Sequence, residues 1–232
     1  MNKTTVKPVI MITGASSGIG AGLAKLFSSN GYQLALCSRN TEAMNALNLP
    51  NTLCLEVDVT DAVAIQNAIT QVQEYLGPID CLINNAGFGK NGDFTELTHT
   101  EHAAMVQVNL MGVINSIEAV LPKMREQQHG TIINIGSLAD RNPRPNLAVY
   151  AASKAAVKSL SESLRLANAK FGIRVCHVAP AKINTPMLIQ STLNDEHLIS
   201  VVEMAKTILW IYEQPQHICI RDIVIAPTYY ES

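Results

Sequence analysis

The 232-residue chain exceeds a common single domain, yet α/β folds of this length form one unit around a substantial buried core. Apolar residues at 47% and charged ones at 16% argue against disorder, and a net charge of −2 gives no ground for nucleic acid or an anionic membrane as partner. No apolar run of about 18 residues is read and the N-terminus lacks a signal peptide's apolar region, so the expectation is a cytoplasmic protein without a membrane span.

In chain order, "VIMIT" (Val9 to Thr13) reads as a buried strand and Ile19 to Asn30 as a helix. The strands "QLALCSR" (Gln33 to Arg39) and "TLCLEV" (Thr52 to Val57) follow, then a helix from Asp61 to Tyr75. Next come a strand "DCLINN" (Asp80 to Asn85), a long helix Thr100 to Gln127 and a strand "TIINIGS" (Thr131 to Ser137). A helix Tyr150 to Phe171, a strand "IRVCHVAP" (Ile173 to Pro180), a helix Val201 to Glu213 and a last strand "DIVIAP" (Asp222 to Pro227) complete the pass. Near-continuous apolar strands need cover on both faces, which a parallel sheet provides. Strand–helix alternation throughout predicts an α/β fold: a Rossmann-like, doubly wound parallel sheet of about seven strands, in one domain over residues 1–232. The five cysteines, Cys37, Cys54, Cys81, Cys176 and Cys219, form no C-x-x-C and read as small buried residues of strands in a reduced protein. The six histidines have no ligand spacing, so no metal is expected.

"TGASSGIG" (Thr13 to Gly20) lies between the first strand and the first helix. Gly14, Gly18 and Gly20 give a G-x-x-x-G-x-G spacing that lets backbone approach a pyrophosphate at a positively polarised helix N-terminus. Thr13, Ser16, Ser17 and Ile19 belong to the same candidate cradle; the plainer alternative is a tight turn without ligand. About 20 residues beyond such glycines, a cofactor with a free ribose 2′-OH meets a carboxylate. Ser38 and Arg39 stand there instead, and a guanidinium suits a 2′-phosphate, so the expected cofactor is NADP(H). "DVT" brings Asp58 and Val59 to a strand end, where Asp58 either accepts from an adenine amine or caps the next helix. "NNAG" offers Asn85, Ala86 and Gly87 along a cofactor, or is simply a turn.

Further on come Asn109 within the long helix, where its side chain gains nothing structurally, Ser137 at a strand end, and the helix pair Tyr150 and Lys154 four residues apart. With "TGASSGIG", "DVT", "NNAG", "VNLMG", "IGS" and "YAASK" in this order and spacing, the whole chain resembles the short-chain dehydrogenase/reductase family. The resemblance implies a catalytic tetrad of Asn109, Ser137, Tyr150 and Lys154, with Tyr150 and Lys154 also against the cofactor. In chemical terms, an ammonium beside the phenol favours the phenolate and brings Tyr150 toward the working pH. Tyr150 then gives a proton to a carbonyl oxygen that Ser137 holds, Lys154 orients the nicotinamide ribose, and Asn109 holds a water that feeds protons to Lys154.

One stretch departs from the family pattern. "PAKINTP" supplies Pro180, Ile183 and Thr185 but has Ala181 where the family carries glycine, putting a methyl where backbone passes the nicotinamide. A substrate lid is expected over about 186–200, with Met187, Leu188 and Ile189 as an apolar wall or as plain core. Arg141 and Arg144, between Ser137 and Tyr150, are candidates for a substrate carboxylate or else solvated loop arginines. The tail "ICIRDIVIAPT" is similar to NADP-dependent 3-hydroxy acid and serine dehydrogenases, which implies a homo-oligomer, tetramer or dimer. The expected activity is oxidoreduction of a small carbonyl or alcohol. The rivals are a sugar-nucleotide epimerase or dehydratase, which would need a C-terminal substrate domain this chain lacks, and a non-catalytic NADP-binding regulator, which has no need to keep all four residues.

Overall fold

Seven parallel strands make one sheet in this computed structural model, which describes residues 7–188 and 197–230. They are β1 (Val9–Thr13), β2 (Gln33–Ser38), β3 (Thr52–Glu56), β4 (Ile79–Asn84), β5 (Gly130–Ile135), β6 (Ile173–Pro180) and β7 (Asp222–Ile225), in the spatial order β3-β2-β1-β4-β5-β6-β7. The helices are α1 (Gly18–Ser29), α2 (Thr41–Asn45), α3 (Ala62–Tyr75), α4 (His99–Val106), α5 (Gly112–Gln127), α6 (Ala148–Asn168) and α7 (Val201–Glu213). This is the Rossmann-like, doubly wound arrangement that the strand–helix alternation predicts.

Period-two alternation decides which face each strand residue serves. Ile10 and Ile12 of β1 join Leu23 and Phe27 of α1 and Met204 and Ile208 of α7 on one face. Val9 and Met11 point the other way, to Ile65 and Ile69 of α3, Val113, Ile117 and Val120 of α5, and Val157 of α6. Strands buried on both sides have no room for a polar row, which is why they read as unbroken apolar runs.

Two details depart from the expected elements. A short α2 follows β2, started by the Asn40 side chain accepting from the Ala43 amide at 3.0 Å. The long central helix is also not uniform: α4 begins in a capping box between Thr98 and Glu101, and a π-helical turn at Gln107–Met111 joins it to α5. By length and composition the run His99–Gln127 is apolar enough to cross a bilayer, but Val113, Ile117, Val120 and Met124 are packed in the core. Four cysteines do lie in strands; Cys219 precedes β7, and all five are free thiols.

β1 pairs with β2 on one side and with β4 on the other. The chain therefore leaves β1 in one direction, and on reaching β4 continues in the opposite one. Above the carboxyl ends of β1 and β4 the connections diverge and open a crevice, the place where ligands bind in open α/β sheets.

Candidate active site

The crevice is a cavity of about 710 Å³ that runs from the turn after β1, past the ends of β2 and β4, to the segment between β5 and α6. Thr13 holds the two diverging strands together: its Oγ1 accepts from the Asn85 amide at 3.1 Å and the Ala86 amide at 3.2 Å. The Asn85 side chain returns two donors, to the carbonyls of Thr13 and Gly14, each at 3.0 Å. Thr13 and the Asn85 side chain are thus structural pins rather than open donors, with Asn85 itself lining the cavity.

Gly14 adopts φ +65°, and a methyl there would stand 2.7 Å from the Ala86 Cα. At Gly20 it would stand 2.2 Å from the Gly14 carbonyl oxygen, so the turn closes this tightly only without side chains. Ser17 sits at the N-cap of α1 without a side-chain bond to it, which leaves the first-turn amides of the 12-residue helix for a ligand. That bare helix start, edged by glycines and opening into the cavity, fits a pyrophosphate. Gly14, Ser16, Ser17, Gly18 and Ile19 all line it.

At the end of β2, the Ser38 hydroxyl donates to the Ser16 hydroxyl at 2.8 Å, and Arg39 lies exposed on the cavity wall. Among the described residues Arg39 has no hydrogen-bond or ion-pair partner. Asp58 and Val59 line the same end. Asp58 does not cap α3: its carboxylate accepts from the Thr60 amide at 2.9 Å and hydroxyl at 2.8 Å, bonds that hold its pKa low, while Asp61 is the cap. Ala86 and Gly87 complete this wall.

The other end of the cavity gathers Ser137, Tyr150 and Lys154. Ser137 follows β5 and its Oγ accepts from the Ala139 amide at 3.2 Å, which fixes the hydroxyl at the start of a 3₁₀ turn, Leu138–Asp140. Tyr150 and Lys154 project from the first turns of α6. The Lys154 ammonium is buried, donates to the Ile135 carbonyl at 2.9 Å and lies 5.9 Å from the centre of the Tyr150 ring. Burial brings the lysine down to about 8. The sequence-based expectation for Tyr150 is reversed: burial raises its phenol above the ordinary value, and a hydrogen bond with Ser137 offsets only part of that.

Asn109 occupies the π-helical turn, fully buried. Contrary to expectation its side chain has structural work. Oδ1 accepts from the Phe88 amide and Nδ2 donates to the Phe88 carbonyl, both at 2.8 Å, and Nδ2 also donates to Ser153 Oγ at 3.0 Å. The turn after β4 is thereby clamped against α6. A methyl built on Gly87 would lie 3.4 Å from Asn109 Oδ1 and 3.6 Å from Lys154 Nζ, so both groups flank the same open position.

Pro180, Ala181, Ile183 and Thr185 line the cavity beyond β6. Ala181 donates its amide to the Ile225 carbonyl at 2.8 Å, and it is the next residue, Lys182, that takes a left-handed φ of 54°. The alanine methyl therefore carries no backbone strain. Thr185 reaches across to the glycine turn, 3.4 Å from where a Gly18 methyl would be. Of the expected lid, Met187 and Leu188 line the cavity, an Ile183–Ile199 bridge ties its two ends, and Ile189 lies outside the described residues.

Arg141 is not available to a substrate: it donates to Asp140 at 2.6 and 3.2 Å and to Asp222 at 3.0 and 2.8 Å. Arg144 lines the cavity and donates to the Tyr230 hydroxyl at 2.8 Å, with its guanidinium 5.5 Å from that ring's centre. Tyr230, Lys182, Phe88, Gly89 and Asn142 also line it and escaped the sequence reading, since each sits on an irregular segment with no periodicity to place it. Gly89 packs against the Tyr150 ring, where a methyl would lie 3.2 Å from the ring edge. Among the described residues no cluster of metal-ligating side chains occurs.

Comparison with known proteins agrees with this geometry. The short chain dehydrogenase family profile matches residues 8–196. The uncharacterized oxidoreductase SERP2049 of Staphylococcus epidermidis is 30% identical over 223 residues, covering 94% of this chain and 96% of that protein. The closed form of serine dehydrogenase complexed with NADP+ superimposes with a TM-score of 0.90 at 25% identity, covering 97% of this chain and 96% of that one. The 3-ketoacyl-(acyl-carrier-protein) reductase from Brucella melitensis complexed with NADH gives 0.88 at 26% identity, covering 96% and 98%. The chain is an oxidoreductase of the short-chain dehydrogenase family.

Proposed function

We propose that the protein uses NADP(H) to interconvert a carbonyl and a secondary alcohol on a small substrate, a ketone, an aldehyde or a 3-hydroxy acid. The observation that carries the reading is one cavity with Arg39 and the glycine turn at one end and Ser137, Tyr150 and Lys154 at the other. Arg39 without a partner among the described residues, Ser38 beside it and no carboxylate at the end of β2 together favour a 2′-phosphate. The glycine turn and the first-turn amides of α1 hold the pyrophosphate, Asp58 and Val59 border the adenine, and Asn85, Ala86, Gly87, Pro180, Ala181, Ile183 and Thr185 border the rest. One catalytic domain over 1–232, with a lid over about 186–200, accounts for the whole chain.

When bound, the nicotinamide supplies or accepts the hydride. Tyr150, protonated at neutral pH because burial raises its phenol, donates to the substrate oxygen as that oxygen gains charge. The Ser137 hydroxyl, already held by the Ala139 amide, donates a second hydrogen bond to the same oxygen. The Lys154 cation stabilises the phenolate left behind and orients the ribose. A water between Asn109 Oδ1 and Lys154 Nζ returns the proton, the two groups flanking the space beside Gly87.

Val202 and Trp210 are exposed on α7 and Val224 on the edge strand β7, apolar positions that support a homo-oligomer, dimer or tetramer. The decisive experiment follows NADPH absorbance with a panel of ketones, aldehydes and 3-oxo acids. Tyr150→Phe is expected to lower turnover by about 10²–10⁴-fold while NADPH still binds. Undiminished turnover in Tyr150→Phe, or NADPH binding without consumption of any carbonyl in the native protein, sinks the reading.

A further inference from the structure

Directly behind Ser137 lies a group of charges that the proposed reaction does not use. Asp140, the last residue of the turn that Ser137 begins, has a side chain with no solvent exposure. Arg141 binds its carboxylate and that of Asp222 on β7, forming a bridge between the turn and the sheet edge. His177 of β6 is buried between the same two carboxylates: Nδ1 pairs with Asp222 Oδ1 at 3.0 Å, and Nε2 lies 3.3 Å from Asp140 Oδ2 in a geometry short of a hydrogen bond. The imidazole also presses on Gly136, where a methyl would stand 2.1 Å from Nε2, so it touches the backbone one residue before Ser137. Lys158 of α6 approaches Asp222 at 3.8 Å from the helix that carries Tyr150 and Lys154.

A buried carboxylate is costly unless paired, and here Arg141 donates to both of its oxygens with the His177 ring 3.3 Å away, while the Asp140 amide ties the turn by donating to the Ser137 carbonyl at 2.9 Å. We propose that Asp140 is a positioning residue of the active site: its clamped carboxylate anchors the turn that presents Ser137 and sets a fixed negative charge beside α6, the helix that carries Tyr150 and Lys154. That charge favours an ammonium at Lys154 and a neutral phenol at Tyr150. The assignment rests on the proposed oxidoreductase reading, which gives those two protonation states their use. The charged groups around the pair are few. Lys158 shares α6; Asp140, Arg141 and Arg144 come from the segment after β5, His177 from β6, Lys182 from the turn beyond β6 and Asp222 from β7. Asp140 is the one carboxylate among the described residues whose charge acts on both, raising Lys154 against the lowering by burial and raising Tyr150 further. Arg141 and His177 set how strongly that charge is felt.

The test reads Lys154 directly and needs no turnover. In protein labelled at lysine Cε with ¹³C, the Lys154 resonance is assigned by its loss in Lys154→Met and titrated with pH. In Asp140→Asn the Lys154 midpoint is expected to fall by about one pH unit, the effect of losing a nearby opposite charge. With an accepted carbonyl substrate, the alkaline limb of the reduction profile moves down with it, at unchanged NADPH affinity. If Asp140→Asn does not fold, Arg141→Met serves instead: it keeps Asp140 charged but less compensated, and the midpoint rises. An Asp140→Asn protein with the native midpoint and merely lower turnover overturns the proposal and leaves Asp140 a packing residue. A falling or unmoved midpoint in Arg141→Met overturns it likewise. A protein that reduces no carbonyl yet shows the midpoint shift refutes the enzymatic reading and not this one.

Discussion

Lys154 and Tyr150 lie 5.9 Å apart, from ammonium nitrogen to ring centre, with burial acting on them in opposite directions. Desolvation disfavours both charged forms, so the lysine drops to about 8 while the phenol rises. For reduction the useful state is a neutral phenol beside an ammonium. Raising the pH removes the ammonium first, because its proton leaves near pH 8 while the phenol keeps its own. Reduction should therefore hold steady below that point and decline through about pH 8, measured as kcat/KM against pH. Lys154→Met should remove that limb and lower activity by about 10²-fold or more, whereas Lys154→Arg, charged throughout, should shift the limb upward. A limb at the same pH in Lys154→Arg assigns it to another group.

Arg39 gives a second outcome. Its guanidinium is exposed on the cavity wall with no fixed partner among the described residues, and its charge helps to hold Asp58 low. Hydrogen bonds to a charged group are worth about 1.5–3 kcal/mol, and tenfold in affinity corresponds to about 1.4 kcal/mol. Arg39→Glu should raise the KM for NADPH by about 10–100-fold and leave that for NADH nearly unchanged. An unaltered preference between the two cofactors places the phosphate elsewhere.

Much of this was legible in the chain itself, for physical reasons that also mark where legibility ended. Strands such as Val9–Thr13 and Ile173–Pro180 are buried on both faces, so they stand out as apolar runs, and parallel order follows from the helices between them. Tyr150 and Lys154 stand out by their spacing on one helix face and Ser137 through the family resemblance, and the structure places all three on one cavity. What spacing cannot carry is competition between burial and charge, so the direction of the Tyr150 shift was missed. Nor does it reveal a bond between residues 21 positions apart, which is why the clamp of Asn109 on Phe88 looked like a residue with nothing to hold. The cluster of Asp140, His177 and Asp222 was invisible for a related reason: β5, β6 and β7 become neighbours only when the sheet forms.

Gly20 tests the tightness of the cofactor turn. A methyl there would meet the Gly14 carbonyl oxygen at 2.2 Å and the Asn85 amide nitrogen at 2.6 Å, one of them backbone and the other pinned by two hydrogen bonds. Neither can step aside without opening the junction of β1 and β4. Gly20→Ala should cost about 1–3 kcal/mol of stability, seen as a lower Tm, and should weaken NADPH binding. Gly31→Ala is the contrast: φ of +81° strains it, but nothing stands within 4 Å, so cofactor affinity should hold while Tm falls slightly. Equal losses of NADPH affinity in both variants would show that the close approach at Gly20 is immaterial.

Arg144 separates substrate classes. It stands three residues after Arg141, whose two carboxylate partners leave it nothing to offer. Arg144 by contrast has, among the described residues, the Tyr230 hydroxyl and ring as partners, and it lines the cavity together with Ser137 and Tyr150. Its charge also reaches Lys182 on the same wall, which burial and Arg144 together lower from the ordinary lysine value. A guanidinium beside a reacting carbonyl favours a substrate carrying a carboxylate, which it can hold by charge-assisted hydrogen bonds. Arg144→Met should raise the KM for a 3-oxo acid by about tenfold or more, the worth of one charge-assisted hydrogen bond, and leave the KM for the corresponding neutral ester unchanged. Equal effects on acid and ester would mean that Arg144 serves only to hold Tyr230 against the cavity mouth. In that case the reaction would be one of neutral ketones or aldehydes.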